Sequence, residues 1–125
     1  MNLVDSSGWL EYFANGRHAD FFAPALEDTP RLIVPSICIF EVFKRVLQQK
    51  GEDAAIQAAA LMQQAEVIPL DMTLSVYAAR LSFELKLPMA DSIIYATAKK
   101  FGATIWTQDE DFKTLPNVKF IKRKK

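Results

Sequence analysis

Residues 90–112 read ADSIIYATAKKFGATIWTQDEDF, and this stretch predicts a helix followed by a buried strand. The part from Asp91 to Phe101 is typical of a helix, and Gly102 can end it because glycine adopts the left-handed conformation of a helix stop without strain. The run from Ala103 to Thr107 then predicts a strand, which the acid Asp109 follows. Such an alternation of helix and strand indicates an α/β fold with a parallel sheet.

The rest of the chain continues this alternation. Further strands are predicted at residues 3–4, 32–34, 67–70 and 118–121, and further helices at residues 5–13, 19–26, 36–50, 52–65 and 71–85. A chain of 125 residues has the length of one domain with one core. We therefore expect residues 1–125 to form a single α/β domain, with a mostly parallel sheet of about five short strands and helices on both faces.

The predicted helix from Ser36 to Lys50 contains an acid among apolar neighbours. Its apolar residues follow the spacing of one buried stripe, and they are Ile39, Phe40, Phe43, Val46 and Leu47. Glu41 lies beside this stripe, where a carboxylate is costly unless it is paired. Lys44 and Arg45 follow within one helical turn and are its candidate structural partners, so Glu41 alone fits an ion pair as well as a functional role.

Four carboxylates stand where an apolar run ends or on a predicted helix, and they are Asp5, Glu41, Asp91 and Asp109. If the runs before Asp5 and Asp109 are neighbouring parallel strands, their carboxyl ends share one edge, where open α/β sheets place their sites. Clustered carboxylates repel one another unless a cation or protons neutralise them. Acids without a set of His or Cys residues favour a hard cation such as Mg²⁺ or Mn²⁺. Taken singly, Asp5 and Asp91 also fit the caps of helices.

Taken in order, these residues resemble the PIN-domain nucleases, and most closely the VapC-type toxins of bacterial and archaeal toxin–antitoxin pairs. The resemblance rests on the early apolar-apolar-Asp, the mid-helix Glu, the stretch from Ala90 to Ala98 and the tail Thr-x-Asp-x-Asp-Phe at residues 107–112. It implies an endoribonuclease that depends on Mg²⁺ or Mn²⁺. The implied catalytic and metal-binding quartet is Asp5, Glu41, Asp91 and Asp109, supported by the hydroxyls of Ser6 and Thr107 and by Asp111 as an outer acid or turn cap.

The resemblance also implies partners. They are an RNA substrate, a separate antitoxin protein that inhibits the nuclease, and a second copy of the chain in a homodimer. We expect a groove or self-association surface on the early helices, because these carry many large apolar residues, namely Trp9, Leu10, Phe13, Phe21, Phe22 and Leu26.

Basic residues near the quartet are candidates for binding the RNA backbone, although the chain as a whole is neutral, with 15 basic and 15 acidic residues. The candidates are Lys44, Arg45, Lys99, Lys100 and Lys113, together with the basic tail at residues 122–125.

Two other functions fit parts of the sequence. A phosphatase or phosphotransferase with an Asp nucleophile also has an acid after its first strand, but its second acid would stand at position 7, where this chain has Ser7. A non-catalytic binding module could use the same acids as helix caps.

Composition indicates the compartment. The single cysteine, Cys38, lies in an apolar run and is expected to be a buried thiol. We find no apolar stretch long enough to span a membrane and no signal peptide, so the expected location is the reducing cytoplasm.

Overall fold

A computed structural model of the chain describes residues 1–123. The helices are α1 (Ser6–Phe13), α2 (Ala19–Leu26), α3 (Ser36–Lys50), α4 (Glu52–Met62), α5 (Met72–Leu85) and α6 (Met89–Phe101). The strands are β1 (Asn2–Val4), β2 (Leu32–Pro35), β3 (Glu66–Ile68), β4 (Thr104–Thr107) and β5 (Val118–Phe120). Short 3-10 turns lie at Thr29–Arg31 and Glu110–Phe112.

The five strands form one sheet in the order β3-β2-β1-β4-β5, and every neighbouring pair is parallel. The connections from β1 to β2 and from β2 to β3 run toward one edge, whereas the connection from β3 to β4 crosses back. Because parallel crossovers are right-handed, connections in opposite directions place their helices on opposite faces. The helices α1–α4 therefore cover one face and α5 and α6 the other. This confirms the predicted α/β fold with a parallel sheet flanked by helices.

The core lies between the sheet and these two layers. Leu3, Val34 and Ile105, from three neighbouring strands, are at most 1% exposed, and so is Phe22 of α2. All four residues of β2 are buried, as expected for a strand covered on both faces. This packing fixes the carboxyl ends of the central strands.

Two glycines with positive φ follow helices, and one of them, Gly102, is the helix stop that the sequence predicted. Gly51 follows α3 with φ of +90°, and Gly102 follows α6 with φ of +64°. The third strand is Glu66–Ile68 rather than residues 67–70, because Pro69 has no N–H to pair and Asp71 already caps α5 by accepting the Leu74 N–H. α4 ends at Met62 rather than at residue 65.

The predicted apolar stripe of α3 is wrong in part. The residues that α3 buries are Cys38, Val42 and Val46, at i, i+4 and i+8. Phe40 is 64% exposed and Leu47 is 43% exposed. The helix has more apolar residues than one face can bury, so the spacing fits two overlapping stripes, and packing against β2 and α1 selects the one centred on Val42.

The structure also bears on the expectations from composition. Cys38 is a buried free thiol, as predicted. None of the helices within residues 1–123 has the length and apolarity needed to cross a membrane.

Candidate active site

The candidate site lies at the carboxyl ends of β1 and β4. These strands are neighbours, but β1 continues toward β2 on one side and β4 toward β5 on the other. Open α/β sheets form a crevice at such a switch point. The Asp5 N–H donates to the Trp106 carbonyl at 3.2 Å, which brings the chain after β1 against the end of β4.

Asp5 is buried in this crevice and held by several donors. One oxygen, Oδ1, accepts from the Gly8 N–H at 3.0 Å and from the Ser7 hydroxyl at 2.8 Å, and Oδ2 accepts from the Thr107 hydroxyl at 2.6 Å. Asp5 is thus the cap of α1, one of the roles that the sequence allowed. Burial raises the pKa of its carboxyl to about 6, although the bonds from Thr107, Ser7 and Gly8 act in the opposite direction.

Thr107 connects Asp5 to Asp109. Its hydroxyl donates to Asp5 and accepts from the Asp109 N–H at 2.8 Å, and its side chain is fully buried. The neighbouring Gln108 is also buried, and its amide donates to the Ser7 carbonyl at 3.3 Å. The segment after β4 is therefore fixed against the segment after β1.

Three other carboxylates form the most compact acidic group in the described part of the chain. Asp91, Asp109 and Asp111 each offer an oxygen, and these oxygens lie within 4.8 Å of one another. Asp109 also caps the turn Glu110–Phe112 by accepting the Asp111 N–H at 2.9 Å. Asp91 does not cap α6, because that position is held by Pro88 and Asp91 lies in the first helical turn. Its carboxylate is therefore not committed to a cap.

The pKa of Asp91 reflects both its burial and the acids around it. The pKa of the half-buried Asp91 is raised to about 8, first by burial, then by its hydrogen bond with Asp111 and by the charges of Asp109, Asp111 and Asp5. A carboxyl whose proton is held this strongly lacks a positive neighbour. Carboxylate oxygens gathered in this way fit a hard divalent cation.

Glu41 reaches the same region from α3. The Ser6 hydroxyl donates to Glu41 Oε1 at 2.7 Å, and within residues 1–123 no ion pair joins Glu41 to Lys44 or Arg45. The charges of Asp5, Glu41 and Asp91 all contribute to the raised pKa of the buried Cys38 thiol, after the larger effect of burial. The structure thus gathers these three acids around Cys38, while the compact group consists of Asp91, Asp109 and Asp111.

The candidate RNA-binding residues lie in different places. Lys44 and Arg45 are exposed one turn after Glu41, and Lys113 follows the compact group, with its ammonium 3.9 Å from Glu110. Lys99 and Lys100 are at the opposite end of α6, about 12 Å along the helix from Asp91. In the tail, Lys122 and Arg123 are exposed, and residues 124–125 lie outside the described part of the chain.

A groove of about 440 Å³ opens beside the acids. It begins at Ser7 and Gln108, which contact the site directly, and it continues between α1, α3 and α4 past Leu10, Val46 and Leu61. Its wall is mostly apolar, with Arg45 and Arg123 among the lining residues. Of the apolar residues expected to form a groove on the early helices, Leu10 and Phe13 line it, whereas Trp9 and Phe22 are buried.

The fold and the acidic crevice together define a PIN-domain protein. A family model described as "PIN domain" matches residues 3–118, so the chain belongs to this family.

Its relatives include VapC proteins, and the chain is of this type. It is 33% identical to Ribonuclease VapC4 of Mycobacterium tuberculosis over 96 residues, which cover 70% of this chain and 74% of the relative. A toxin–antitoxin complex from Klebsiella pneumoniae contains a chain with a TM-score of 0.78 and 25% identity, with 95% of this chain and 96% of that chain covered. VapC20 of Mycobacterium tuberculosis, a toxin that cleaves the sarcin–ricin loop, has the same fold, with a TM-score of 0.78, 18% identity and coverage of 93% and 95%.

Sequence reasoning missed one contact and underrated another residue. Ser7 was not among the expected site residues. Its hydroxyl nevertheless donates to Asp5, and its carbonyl accepts from the Gln108 amide. Asp111 was expected to be an outer acid or turn cap, whereas its carboxylate belongs to the compact group. The spacing Asp-x-Asp at residues 109–111 was the available signal, because an Asp that caps a turn accepts the N–H of the residue two positions later, which keeps the two acids close.

Proposed function

We propose that this chain is a divalent-metal-dependent endoribonuclease, the toxin of a toxin–antitoxin pair, and that Asp5, Glu41, Asp91 and Asp109 are its catalytic and metal-binding acids. The observation that carries the proposal is the convergence of carboxylates from separate elements on one crevice, where oxygens of Asp91, Asp109 and Asp111 lie within 4.8 Å of one another. Membership of a family that includes a VapC ribonuclease supports RNA as the substrate.

The donor set fits Mg²⁺ or Mn²⁺. The ligand atoms on offer are carboxylate oxygens of Asp91, Asp109 and Asp111, which hard cations prefer. When bound, such an ion supplies the positive charge that attracts a phosphodiester and acidifies a coordinated water. Asp111 joins the proposed ligands, so its role extends beyond that of an outer acid.

The protein residues position the groups around that ion. Asp5 is oriented by Ser7 and Thr107, and its buried charge faces the same crevice. Ser6 holds Glu41 through Oε1, which leaves Oε2 to orient an attacking water and accept its proton. Glu41 or Asp109 would take this role.

The two alternative functions have less support. An Asp-nucleophile phosphatase would have its second acid at position 7, and this position is Ser7, whose hydroxyl donates to Asp5. A module that uses its acids only as caps does not explain Asp91, which caps nothing and lies among other acids.

The test is a digest of RNA with wild-type protein in Mg²⁺, in Mn²⁺ and in EDTA, repeated with Asp5→Asn. We expect cleavage with either metal, none in EDTA and almost none with the variant. Cleavage that persists in EDTA, or at the wild-type rate in Asp5→Asn, would refute the metal-dependent acidic site.

We propose that the inhibitor is a small antitoxin protein. The relative from Klebsiella pneumoniae is part of a toxin–antitoxin complex. A Lys or Arg of the antitoxin would pair with the acids in place of the metal, and its apolar side chains would occupy the groove beside Leu10, Val46 and Leu61.

We also propose a homodimer, with a different surface from the one that the sequence indicated. None of the six large apolar residues named on the early helices is fully exposed, since three are buried and three are half-buried. By contrast, α5 exposes Met72 (83%), Val76 (47%) and Phe83 (87%). These residues, at i, i+4 and i+11, lie along one side of the helix. Such a stripe of exposed apolar side chains can pack against the same stripe of a second copy related by a two-fold axis.

A further inference from the structure

Phe40 is an exposed aromatic residue beside the acidic site. It is 64% exposed, although the same helix buries Cys38 and Val42 on its other side. It directly precedes Glu41, whose side chain is bonded to Ser6 in the crevice. An exposed ring on the residue before a proposed catalytic acid is available to contact a ligand that binds at that acid.

A cation accompanies this ring. The ammonium of Lys44 lies 6.0 Å from the centre of the Phe40 ring, one helical turn further along α3. Lys44 is exposed. An exposed aromatic ring next to an exposed ammonium suits a ligand that carries both a planar group and an anion, as every nucleotide does.

The position of the ring relative to the acids identifies which nucleotide it could contact. If a phosphodiester is bound for cleavage at Asp5, Glu41 and Asp91, the adjoining nucleotides must lie along the rim of the crevice. Phe40 is one residue before Glu41 in α3, and Glu41 is held in the crevice by Ser6, so the backbone places the exposed Phe40 next to the Glu41 side of the crevice. Proteins that bind single-stranded RNA stack its unpaired bases on such rings.

We propose that Phe40 is a stacking platform for a base next to the cleaved bond of single-stranded RNA, and that Lys44 contacts the phosphate of that nucleotide. This inference rests on the proposed ribonuclease function and specifies how the substrate is bound. It also distinguishes Phe40 from the exposed residues of α5, such as Phe83, for which no lysine lies over the ring in the described part of the chain.

The chain contains a matched control. Phe101 is also exposed, at 38%, and the Lys100 ammonium lies 5.7 Å from the centre of its ring. This pair is at the end of α6 away from the acids. If stacking at the site matters, Phe40→Leu should change RNA binding and Phe101→Leu should not.

The experiment measures binding of a short single-stranded RNA that contains 2-aminopurine, whose fluorescence is quenched when it stacks on an aromatic ring. All variants carry Asp5→Asn so that the RNA stays intact, and Mg²⁺ is present. We expect Phe40→Leu to weaken binding about tenfold and to abolish the quenching, whereas Phe40→Trp retains both. Lys44→Gln should lower the slope of log affinity against log salt by about 0.7. Lys119→Gln removes an exposed lysine that also lies over an aromatic ring but is not among the candidate RNA-binding residues, and it should leave the slope unchanged.

Equal RNA affinity of Phe40→Leu and its parent would overturn the proposal. So would an equal loss in Phe40→Leu and Phe101→Leu, which would indicate a general effect of removing aromatic surface. If Phe40→Leu changes only the oligomeric state, measured by light scattering, the ring is a protein contact. Cleavage of RNA by the wild-type protein is measured separately on gels. If there is no cleavage, the proposed ribonuclease function fails, whereas the comparison of RNA affinity between Phe40→Leu and its parent still tests the role of Phe40.

Discussion

At the scale of single residues, the acids of the crevice differ in their hydrogen bonds and in the pKa of their carboxyls. Asp5 has three hydrogen-bond donors, and the pKa of its carboxyl reaches about 6 because of burial. Asp91 is half-buried among other acids, and its pKa rises to about 8. Asp5→Asn therefore alters a carboxylate that three hydrogen bonds hold in place. Asp91→Asn replaces a carboxylate whose charged form is unfavourable at its site.

We predict that Asp91→Asn nearly abolishes RNA cleavage and raises the unfolding temperature in EDTA. At neutral pH the wild-type carboxyl must take up a proton to fold among Asp109 and Asp111, whereas the amide is neutral without one, and the position makes no cap. Thermal unfolding in EDTA and RNA digests with Mg²⁺ measure the two effects. Glu110→Gln is the control, since Glu110 is an exposed acid next to Asp109 but outside the compact group, and it should change neither. A lower unfolding temperature for Asp91→Asn would mean that its carboxylate is structural.

The raised pKa of Asp91 also predicts that the stability of the metal-free protein depends on pH. The pKa of Asp91 in the folded state, about 8, exceeds its ordinary value of 3.8, so the folded protein binds the proton more tightly than the unfolded chain does. Stability without metal should therefore fall as pH rises from about 4 to 8, and Asp5 adds to this fall between about 4 and 6. Urea unfolding in EDTA across this range measures the slope, which Asp91→Asn should flatten. An unchanged slope in the variant would assign the effect to other groups.

Metal binding should have the opposite pH dependence. A cation must displace the Asp91 proton, so its apparent affinity should rise as pH increases toward 8. Calorimetric titration of the wild-type protein with Mn²⁺ at several pH values measures this rise. Affinity that is constant between pH 6 and 8 would show that Asp91 is not a ligand.

The sequence indicated acids that the fold brings to one edge of the sheet, but it did not indicate how each of them is held. It indicated Asp5, Glu41, Asp91 and Asp109 because each stands at the end of an apolar run or on a helix, and the parallel sheet brings such positions together. It could not show that Asp91 lies in the first turn of α6 and not at its cap, because Pro88 and Asp91 both suit a helix start. The placement of Asp111 depends on the geometry of a single 3-10 turn, which sequence patterns do not determine.

At the scale of secondary-structure elements, Thr107 joins the end of β4 to the end of β1. Its hydroxyl is both the donor to Asp5 and the acceptor for the Asp109 N–H. One buried side chain thus orients two of the proposed catalytic acids, although it does not itself belong to the acidic group.

We predict that Thr107→Val destabilises the protein by about 1–3 kcal/mol and strongly reduces cleavage. Valine has the same shape but leaves Asp5 Oδ2 and the Asp109 N–H without their partner, and buried polar groups without partners are costly. Thr107→Ser keeps the hydroxyl and should retain most of the activity. Urea unfolding and RNA digests compare the two. Equal stability of Thr107→Val and wild type would show that these bonds contribute little.

The prediction for α3 failed for a reason that applies to any helix with surplus apolar residues. Phe40 and Val42 both fit an apolar stripe with Val46 or Leu47, so periodicity alone allowed either face to be inside. Packing against β2 and α1 buried Val42 and left Phe40 exposed. An aromatic residue that the fold leaves outside is more informative about function than one in the core.

At the scale of the whole molecule, we predict that Phe83→Glu converts a dimer into a monomer. A charge in the middle of the exposed face of α5 would be buried without a partner on association. Light scattering after size-exclusion chromatography measures the mass. Phe101→Glu places the same charge on an exposed ring elsewhere and should leave the dimer intact. If Phe83→Glu stays dimeric, the contact lies on another surface.

We also predict that expression of this chain alone arrests the growth of a bacterial host and that Asp109→Asn relieves the arrest. An uninhibited ribonuclease damages its host, and the variant lacks one of the proposed metal ligands. Growth curves at matched protein levels compare the strains. Equal growth of both strains would count against the toxin role while leaving the nuclease activity to be judged by the RNA digest.

The order of the strands determines when the site can exist during protein synthesis. β1 is made first but becomes the middle strand, and Asp5 receives its bond from Thr107, which is 102 positions later in the chain. Asp91, Asp109 and Asp111 also belong to the last third of the sequence. A chain still being translated therefore carries Asp5 and Glu41 without the other acids. The complete constellation forms only after residues 91–111 have left the ribosome, so a chain whose translation has not passed this point would carry no complete site for cleaving RNA.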